Sequence, residues 1–524
     1  MLGTEDFNSA GTASSRRWVS ASIWPLVLLA LITVFGAWLR IQNLTTYPTW
    51  WDEHASVFSA TGMLANQGDK FEGRVSTCEE IPSTSLFLPE SQPTKAGSLI
   101  EKIRLSNVPA ATLYWDRGNG LTFSYVLHFW VLLFGFADVA LRSLPCLLGI
   151  LMIPTTYAVG ARATGLPWAG VVAALFVACN ALLIEFSREV RSYSLVALLS
   201  LLATYVFLGL IREFPGRGWA SRAALYVMLL VALAFTHYLA LPTVVVAHFF
   251  GALLSRARLR GLAAWGVAVI FMAASLALWM AWGGWLGLQA MHEHDQLWLR
   301  RAVSGMYWWL TPFDWRTGVR LLIERTVQYN VPLFTFWPPQ GLIHALLLMV
   351  FLLCASLGLL KLLAFSKGSA LPGIAIIGCV SAGGALYLYL AWKSGHTLPF
   401  IDRYFTYLIP YQSLLLAAGI SGAVQLRKRW WAKTLSVILI LGSGYILNAN
   451  VHKGVNAKEK GTFSYDGIAA EIKRRKTPEK SIVRCNSIDA ALIVALKTGR
   501  TYPEVKLIFD RNSKILATIE RLND

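Results

Sequence analysis

Two adjacent carboxylates, Asp52 and Glu53, follow two tryptophans directly after the first long apolar stretch of this 524-residue sequence. Tryptophan is enriched where a membrane meets water, so Trp50 and Trp51 mark that boundary. Neighbouring carboxylates disfavour each other, because one charged acid raises the pKa of the next. Since acids at this depth are functional by default, we interpret the pair as a base or a metal-binding pair facing a site at the membrane rim. The structural alternative is that Asp52 is the N-cap of a helix beginning near Glu53.

Further charged residues lie near predicted outer ends of membrane spans, on the same side as the two acids: Asp116, Arg142, Glu185, Arg188, Glu189, Arg191, His237 and Arg403. Arginines beside a few acids indicate a site for an anionic group next to a proton acceptor. Arginine suits phosphate because its planar fork donates two parallel hydrogen bonds. The densest cluster is 185–193, where Glu189, Arg191 and Tyr193 alternate. Its structural alternative is a hydrated loop with weak local ion pairs.

The other candidates are weaker when each is taken alone. Arg142 lies three residues inside a predicted span, where it could snorkel to the headgroups. His237 is typical of a hydrogen-bonded interface residue, and Arg403-Tyr404 repeats the pairing of arginine with tyrosine. The run 292–295 (His-Glu-His-Asp) has a nonspecific metal-ligand spacing. Cys78 and Cys485 both fall in predicted outer segments, so the compartment allows a disulfide but does not indicate one.

Composition sets the class of protein. Hydrophobic residues make up 55% of the chain and charged residues only 15%, with a mean hydropathy of +0.51. Soluble proteins carry about 25% charged residues, so we predict a polytopic membrane protein. The net charge of +18 does not indicate nucleic acid, because much of the lysine and arginine falls in short loops between apolar stretches. The six cysteines show no C-x-x-C spacing, which argues against a zinc or redox motif.

The apolar stretches predict about eleven transmembrane helices: 19–39, 139–161, 167–185, 193–211, 223–239, 241–254, 263–286, 340–360, 370–391, 404–425 and 434–449. Arg16 and Arg17 place the N-terminus in the cytoplasm. We predict that 120–135 is a helix lying in the interface, because one crossing at 139–161 leaves the later basic loops cytoplasmic. Those loops contain a single acid, Glu213.

These assignments divide the chain into a cytoplasmic tail (1–17), a membrane domain (18–449) and a small extracytoplasmic domain (450–524). The membrane domain has long outer loops at 43–138 and 287–339, the second with short interfacial helices. The pattern of the last segment predicts a helix (465–475), a strand (481–485), a helix (488–497) and a strand (505–509). These elements indicate a small α/β domain. The predicted fold class is an all-α polytopic membrane protein with a C-terminal α/β domain.

Several motifs together resemble the bacterial GT-C glycosyltransferases related to dolichyl-phosphate-mannose protein mannosyltransferases and aminoarabinose lipid A transferases. Asp52-Glu53 resembles the family's Asp-Glu signature in the first outer loop. The stretch from Asp116 through Trp130 to Arg142 resembles its second conserved segment. Glu189-x-Arg191-x-Tyr193 resembles its E-x-R-x-Y motif, and Arg403-Tyr404 its late Arg-Tyr. The resemblance covers residues 20–260 and, more loosely, 340–425. The chain departs from the family at Asn119-Gly120, where the family usually has Pro-Pro.

The resemblance implies a transferase that takes a sugar from a polyprenyl-phosphate carrier at the outer face of a bacterial cytoplasmic membrane. Asp52 would be the base and Glu53 would orient the acceptor; if Mg²⁺ or Mn²⁺ is used, these two would be its ligands. The carrier phosphate and sugar would be bound by Arg142, Arg188, Glu189, Arg191, Tyr193, His237, Arg403 and Tyr404, with His54 and Asp116 nearby. A single displacement would invert the anomeric centre. The acceptor, whether lipid, glycan or protein, stays open.

Three other hypotheses remain. A flippase for a lipid-linked saccharide would share the basic outer cavity, but transporters usually carry polar groups at the bilayer midplane and internal repeats. A ligase that moves a glycan from a polyprenyl diphosphate would use similar arginines and is hard to separate by sequence. A non-catalytic structural subunit would not need adjacent carboxylates.

Overall fold

The computed structural model describes residues 23–46, 49–63, 75–77, 103–212, 218–254, 258–307, 309–330, 342–364, 371–425, 441–452, 465–474, 481–485, 494, 505–509 and 517–521. The helices that position the outer site are α2 (Trp51–Thr61), α3 (Val108–Asp116), α4 (Leu121–Phe134), α7 (Ala181–Phe186), α12 (Trp285–Val303) and α13 (Trp315–Asn330). The predicted tail, 1–17, lies outside the described residues.

Each predicted span coincides with a helix: α1 (Trp24–Ile41), α5 (Asp138–Thr164), α6 (Pro167–Cys179), α8 (Tyr193–Arg212), α9 (Trp219–Ala234), α10 (Ala240–Leu253), α11 (Arg258–Trp279), α14 (Leu342–Ala364), α15 (Leu371–Ser394), α16 (Ile409–Gln425) and α17 (441–452). Within the described residues, five helical stretches are long and apolar enough to cross a membrane, and six more are apolar but shorter. The chain is a multi-pass, largely helical membrane protein.

Three predicted spans end earlier than expected: the helix of 223–239 ends at Ala234, and local structure breaks the other two. The span 167–185 breaks at Asn180, whose side chain accepts a hydrogen bond from the backbone N–H of Leu183 (3.1 Å) and so caps the short α7. The span 263–286 ends in a π-helical turn at Met280–Gly284, where Gly283 has φ 138°. This conformation favours glycine, and it separates α11 from α12. Both breaks lie on the side of the membrane where the acids collect.

The predicted interfacial segment forms α4, whose 14 residues are fewer than the about 20 that cross the hydrocarbon. It packs beside α2, and His128 on α4 contacts the carbonyl of Ala60 on α2 (Nδ1 to O, 2.8 Å). Trp115 on α3 donates to the carbonyl of Met63 just after α2 (2.6 Å). These contacts hold the three helices of the first outer loop together.

A buried polar cluster ties four spans together. His248 on α10 lies between Tyr226 of α9 (2.9 Å) and Thr204 of α8 (3.1 Å), and Thr204 also contacts the hydroxyl of Tyr411 on α16 (2.7 Å). All four side chains are fully buried. Because each polar group has a partner, the cluster satisfies itself and stabilises the packing of the spans.

The C-terminal segment contains α18 (Tyr465–Arg474), β2 (Ser481–Cys485), β3 (Lys506–Phe509) and β4 (Ala517–Arg521). A further strand, β1 (Val75–Thr77), belongs to the first outer loop and pairs antiparallel with β3. The sheet has the order β1-β3-β2-β4, with β2 and β3 parallel. The structure therefore contains the predicted helix 465–475 and the predicted strands 481–485 and 505–509. The strands β1 and β4 were not predicted. The predicted helix 488–497 lies mostly outside the described residues, as does Cys78.

Candidate active site

A cavity of about 660 Å³ opens where the ends of several helices meet. Its wall includes three carboxylates and four arginines: Asp52, Asp116, Asp295, Arg117, Arg191, Arg301 and Arg403. The carboxylates come from α2, α3 and α12, which are far apart in sequence. The fold therefore gathers into one cavity four residues that were predicted to share one side of the membrane: Asp52, Asp116, Arg191 and Arg403.

The two adjacent acids stand on the first turn of α2. Trp50 is the N-cap, and its backbone N–H donates to Oε2 of Glu53 (3.1 Å). The helix thus begins one residue before Asp52, and the alternative that Asp52 is the N-cap is wrong. Asp52 instead lines the cavity, and its Oδ2 accepts a hydrogen bond from Nη1 of Arg403. Its position in the first turn places the carboxylate near the positive end of the helix dipole.

Glu53 points away from the cavity and is fully buried. Arg142 binds it through two hydrogen bonds, Nε to Oε1 (3.0 Å) and Nη2 to Oε2 (2.7 Å). The backbone N–H of Val190 also donates to Oε1 (2.9 Å). With the bond from Trp50, Glu53 accepts four hydrogen bonds. This geometry does not fit the predicted roles of Glu53 as acceptor-orienting or metal-binding residue, or of Arg142 as phosphate-binding residue.

Three other predicted residues also lie outside the cavity wall. Arg188 is buried and donates to the backbone carbonyls of Leu39 (2.5 Å) and Arg40 (3.3 Å), which belong to the last turn of α1, where carbonyls have no partner within the helix. His54 is buried against the hydroxyl of Thr49 (3.1 Å). Glu189 is likewise buried. The structure assigns Arg188 a helix-capping contact rather than the predicted contact with a carrier phosphate.

Arg191 connects α2 and α3 across the cavity wall. Its Nη2 donates to Oδ1 of Asp116 (3.1 Å), and its Nη1 donates to the hydroxyl of Ser56 (3.1 Å) and to the carbonyl of Asp52 (3.2 Å). Burial raises the pKa of Asp116, and the charge of Arg191 opposes that shift. Asp116 is also the last residue of α3, where the negative end of the helix dipole disfavours a charged acid.

Aromatic side chains complete this part of the wall. Tyr193 and Tyr404 line the cavity, and His237 lies behind them, with ring centroids 6.1 Å and 5.8 Å away. The backbone N–H of Leu239 donates to Nδ1 of His237 (3.2 Å), so the neutral ring carries its proton on Nε2. Burial, together with the charges of Arg191 and Arg403, lowers the pKa of His237 to about 3. His237 therefore supports the wall as a neutral ring.

The opposite wall was not predicted. It consists of one face of α12, at the helical spacing of positions 291, 294, 295, 298 and 301 (Met, His, Asp, Trp, Arg). Arg117 follows α3 and contacts the ring of His294 (Nη2 to Nδ1, 3.0 Å). Arg301 lies over the ring of Trp298, 4.8 Å from its centroid. The helical spacing of these residues is present in the sequence, but the prediction of short interfacial helices within 287–339 did not specify this helix or its cavity-facing side.

A predicted divalent cation does not fit the predicted ligands. Glu53 already accepts four hydrogen bonds, which leaves Asp52 as the single carboxylate of the pair that faces the cavity. Within the described residues, no group of three or more His, Cys, Asp or Glu side chains is arranged to hold a metal ion. The run 292–295 is part of α12, where successive residues point in different directions.

No protein-family model matches the sequence, and no curated protein matches it at a significant level. Among solved structures, the chain is similar to the archaeal oligosaccharyltransferase AglB from Archaeoglobus fulgidus in complex with an inhibitory peptide and a dolichol-phosphate. The identity is 13% and the TM-score 0.48, over 87% of this chain and 59% of that chain. The apo form of the oligosaccharyltransferase from the same organism gives 13% identity and a TM-score of 0.49, over 88% of this chain and 59% of that chain.

ArnT from Cupriavidus metallidurans, bound to undecaprenyl phosphate, matches at 12% identity with a TM-score of 0.43, over 92% of this chain and 78% of that chain. The chain spans less than two thirds of the oligosaccharyltransferase chains it matches. These similarities concern the arrangement of helices, at low sequence identity.

Proposed function

We propose that this protein is an integral membrane glycosyltransferase that moves a sugar from a polyprenyl-phosphate carrier to an acceptor hydroxyl at the outer face of a bacterial cytoplasmic membrane. One observation carries the proposal: a rim cavity in which a carboxylate at a helix N-terminus, Asp52, lies among four arginines. The acceptor is a lipid, a glycan or a protein, and the C-terminal domain lies on the same outer side.

Asp52 is the proposed base. Its carboxylate stands on the first turn of α2 and faces the cavity, whereas burial raises the pKa of Asp116 at the end of α3. In the proposed reaction, Asp52 takes the proton of the acceptor hydroxyl as its oxygen attacks the anomeric carbon. The bond from that carbon to the carrier phosphate breaks, and the electron pair leaves with the phosphate. The single displacement inverts the anomeric centre.

The leaving phosphate needs positive charge rather than a protonating acid. Arg191 and Arg403 each share their charge with a carboxylate, whereas Arg117 and Arg301 form no ion pair among the described residues. The Nε atoms of Arg191 and Arg403 are buried without a hydrogen-bond partner in the described structure. A bound phosphate would supply acceptors for such donors. The proposed phosphate-binding arginines are therefore Arg191 and Arg403 of the predicted set, together with Arg117 and Arg301.

The first test uses the protein in nanodiscs with radiolabelled polyprenyl-phosphate sugars and host membrane extract. Wild type should move label from the carrier to a new product, and Asp52→Asn should not. Glu293→Gln, on an exposed position outside the cavity wall, is the matched control and should transfer label like wild type. Label that crosses the bilayer without leaving its carrier would instead indicate the flippase hypothesis. Transfer only from diphosphate-linked donors would indicate the glycan ligase.

A further inference from the structure

His294 lies on the cavity-facing side of α12, between two groups that only donate hydrogen bonds. The indole Nε1 of Trp298 is 2.6 Å from its Nε2, and Nη2 of Arg117 is 3.0 Å from its Nδ1. All three side chains line the cavity. Indole and guanidinium groups have no acceptor, and a neutral imidazole accepts at only one of its two nitrogens. One of the two contacts therefore brings two donors together.

The charge state of the ring does not remove this conflict. Burial, together with the charges of Arg117 and Arg301, lowers the pKa of His294 to about 4, so the ring is neutral at neutral pH. A protonated ring would carry a donor on both nitrogens and would face a donor on each side. The ring thus has one proton, and the firmer of the two contacts decides which nitrogen carries it.

Trp298 is the firmly held partner. It follows His294 by four residues, so the two side chains are neighbours on the surface of α12. Its ring also packs against Tyr307 and Trp309, with centroids 5.9 Å and 6.1 Å away. Because the indole cannot turn away without loss of this packing, Nε2 of His294 accepts from it. The proton of the ring therefore lies on Nδ1, on the side of Arg117.

Arg117 has a fixed backbone and a side chain that can change its contact. It is the C-cap of α3 with φ 54°, a left-handed conformation that favours glycine. A Cβ atom added at Gly287 of α12 would lie 2.3 Å from its carbonyl oxygen, so the two helices touch at this point. The guanidinium forms no ion pair among the described residues and reaches Nδ1 of His294. Two donors thus meet at the cavity wall.

Two converging donors, one of them charged, select an anionic oxygen as ligand. An oxyanion accepts from both donors, and hydrogen bonds between charged groups are the stronger ones. Arg301 lies over the ring of Trp298 and adds a second positive charge to the same wall. Asp295 is the one carboxylate on this wall, so the two arginines leave it with a net positive charge. A hydroxyl group would not balance that charge.

We propose that His294 and Arg117 form an oxyanion site, in which Nδ1–H and the guanidinium donate to one phosphate or carboxylate group. Trp298 is a positioning residue, because it fixes the tautomer of His294. The proposal rests on the proposed function, since the oxyanion is part of a transferase substrate. It belongs either to the carrier phosphate or to an anionic group of the acceptor. When it binds, Arg117 exchanges the ring nitrogen for an oxygen, which removes the conflict between the two donors.

The first test measures binding of inorganic phosphate to the full-length protein in nanodiscs, by line broadening in phosphorus NMR. Arg117→Met should weaken binding about 10- to 100-fold, and His294→Phe, which keeps a ring without the donor, about 10-fold. The matched controls are His292→Phe and Arg300→Met, at exposed positions of the same helix outside the cavity wall, and both should bind phosphate like wild type. Equal binding in wild type and His294→Phe would overturn the proposal.

The tautomer of His294 is an independent readout. In nitrogen NMR of isotope-labelled histidine, its signals are identified by their loss in His294→Phe. They should show a protonated Nδ1 and an unprotonated Nε2. Trp298→Phe keeps an aromatic ring without the donor, so the tautomer with its proton on Nε2 should appear and phosphate binding should weaken. A proton on Nε2 in the wild-type protein would overturn the proposal.

Undecaprenyl phosphate identifies the source of the oxyanion. If the site holds the carrier phosphate, this lipid displaces inorganic phosphate, and His294→Phe weakens binding of the lipid. If the site holds an anionic group of the acceptor, lipid and inorganic phosphate bind together, and His294→Phe weakens only the binding of phosphate.

The result is also separable from the proposed function. Phosphate binding that depends on His294, in a protein that transfers no label, keeps the oxyanion site and rejects the transferase. Transfer of label, with phosphate binding that is insensitive to His294→Phe, keeps the transferase and rejects the oxyanion site.

Discussion

Asp52 and Glu53 are neighbours on one helical turn and have opposite environments. Successive helix positions point about 100° apart, so one acid faces the cavity and the other faces the protein interior. Glu53 is completely buried and closed off by Arg142, while the side chain of Asp52 is 23% exposed and its partner Arg403 is 29% exposed. The acid doublet thus combines one residue that stabilises the first outer segment with one that is open to a substrate. Arg188 and Arg191 are equally buried but have different partners: Arg188 donates to carbonyls at the end of α1, whereas Arg191 lines the cavity.

The strongest way to test this contrast is to neutralise each acid separately. Asp52→Asn should lower kcat by about 10²- to 10⁴-fold, the usual contribution of a general base, with little change in melting temperature. Transfer of labelled sugar in nanodiscs measures the first effect, and thermal unfolding in detergent measures the second. Asp116→Asn is the comparison variant for the base assignment. If Asp116→Asn abolished transfer while Asp52→Asn retained it, the base would be Asp116.

Glu53→Gln should act on stability. It leaves the charge of Arg142 buried without its carboxylate, and breaking such a pair costs about 3–5 kcal/mol. We expect a large drop in melting temperature and in the yield of folded protein. The double variant Glu53→Gln with Arg142→Met removes the uncompensated charge, keeps an acceptor oxygen for the backbone N–H groups at this site, and should recover part of that loss. A stable Glu53→Gln protein that had lost transfer would instead place Glu53 in the reaction.

The two arginines of the 185–193 segment extend the test to cations. Arg191→Ala removes a charged donor from the cavity wall and should weaken carrier binding about 10- to 100-fold, since a hydrogen bond to a charged group contributes about 1.5–3 kcal/mol. Arg188→Ala removes contacts to the end of α1 and should lower the melting temperature while leaving carrier affinity unchanged. Binding of undecaprenyl phosphate to both variants is the measurement. Equal affinities in the two variants would contradict the assignment of carrier binding to Arg191 and of a structural role to Arg188.

Sequence reasoning predicted most of the fold because long apolar stretches and basic loops are strong local signals. Each predicted span overlaps a helix, and the breaks at Asn180 and Gly283 moved only the ends. The site was harder to predict, since direction and pairing depend on tertiary packing. The sequence around Asp52 and Glu53 does not predict which of the two acids pairs with Arg142, a residue 89 positions away from Glu53. Likewise, the edge strand at 75–77 pairs with residues near 507, a register that no local pattern encodes.

The cavity face of α12 shows a second limit of sequence reasoning. The spacing of its run of His, Glu, His and Asp was predicted to be nonspecific for a metal, although these residue types can bind one. On a helix the relevant neighbours are three or four positions apart, and successive steps of that size connect Asp295 with Met291, Trp298 and Arg301. The helical period, and not the run itself, therefore indicates a mixed polar and aromatic wall.

The smallest expected effect concerns the pH dependence of the wall behind Tyr193 and Tyr404. The pKa of His237 is lowered to about 3 in the folded protein, from about 6.5 when exposed. The unfolded chain therefore binds a proton first as the pH falls, and His237 destabilises the fold below pH 6.5. Between pH 7.5 and 5.5 this amounts to about 1.4 kcal/mol. In His237→Gln, the loss of stability over that interval should be smaller by this amount. Melting temperatures of both proteins at the two pH values measure it. An identical pH dependence would mean that the pKa of His237 is the same in the folded and the unfolded chain, because solvent reaches the ring in the folded protein. The wall behind Tyr193 and Tyr404 would then be more open to solvent than the environment of Glu53.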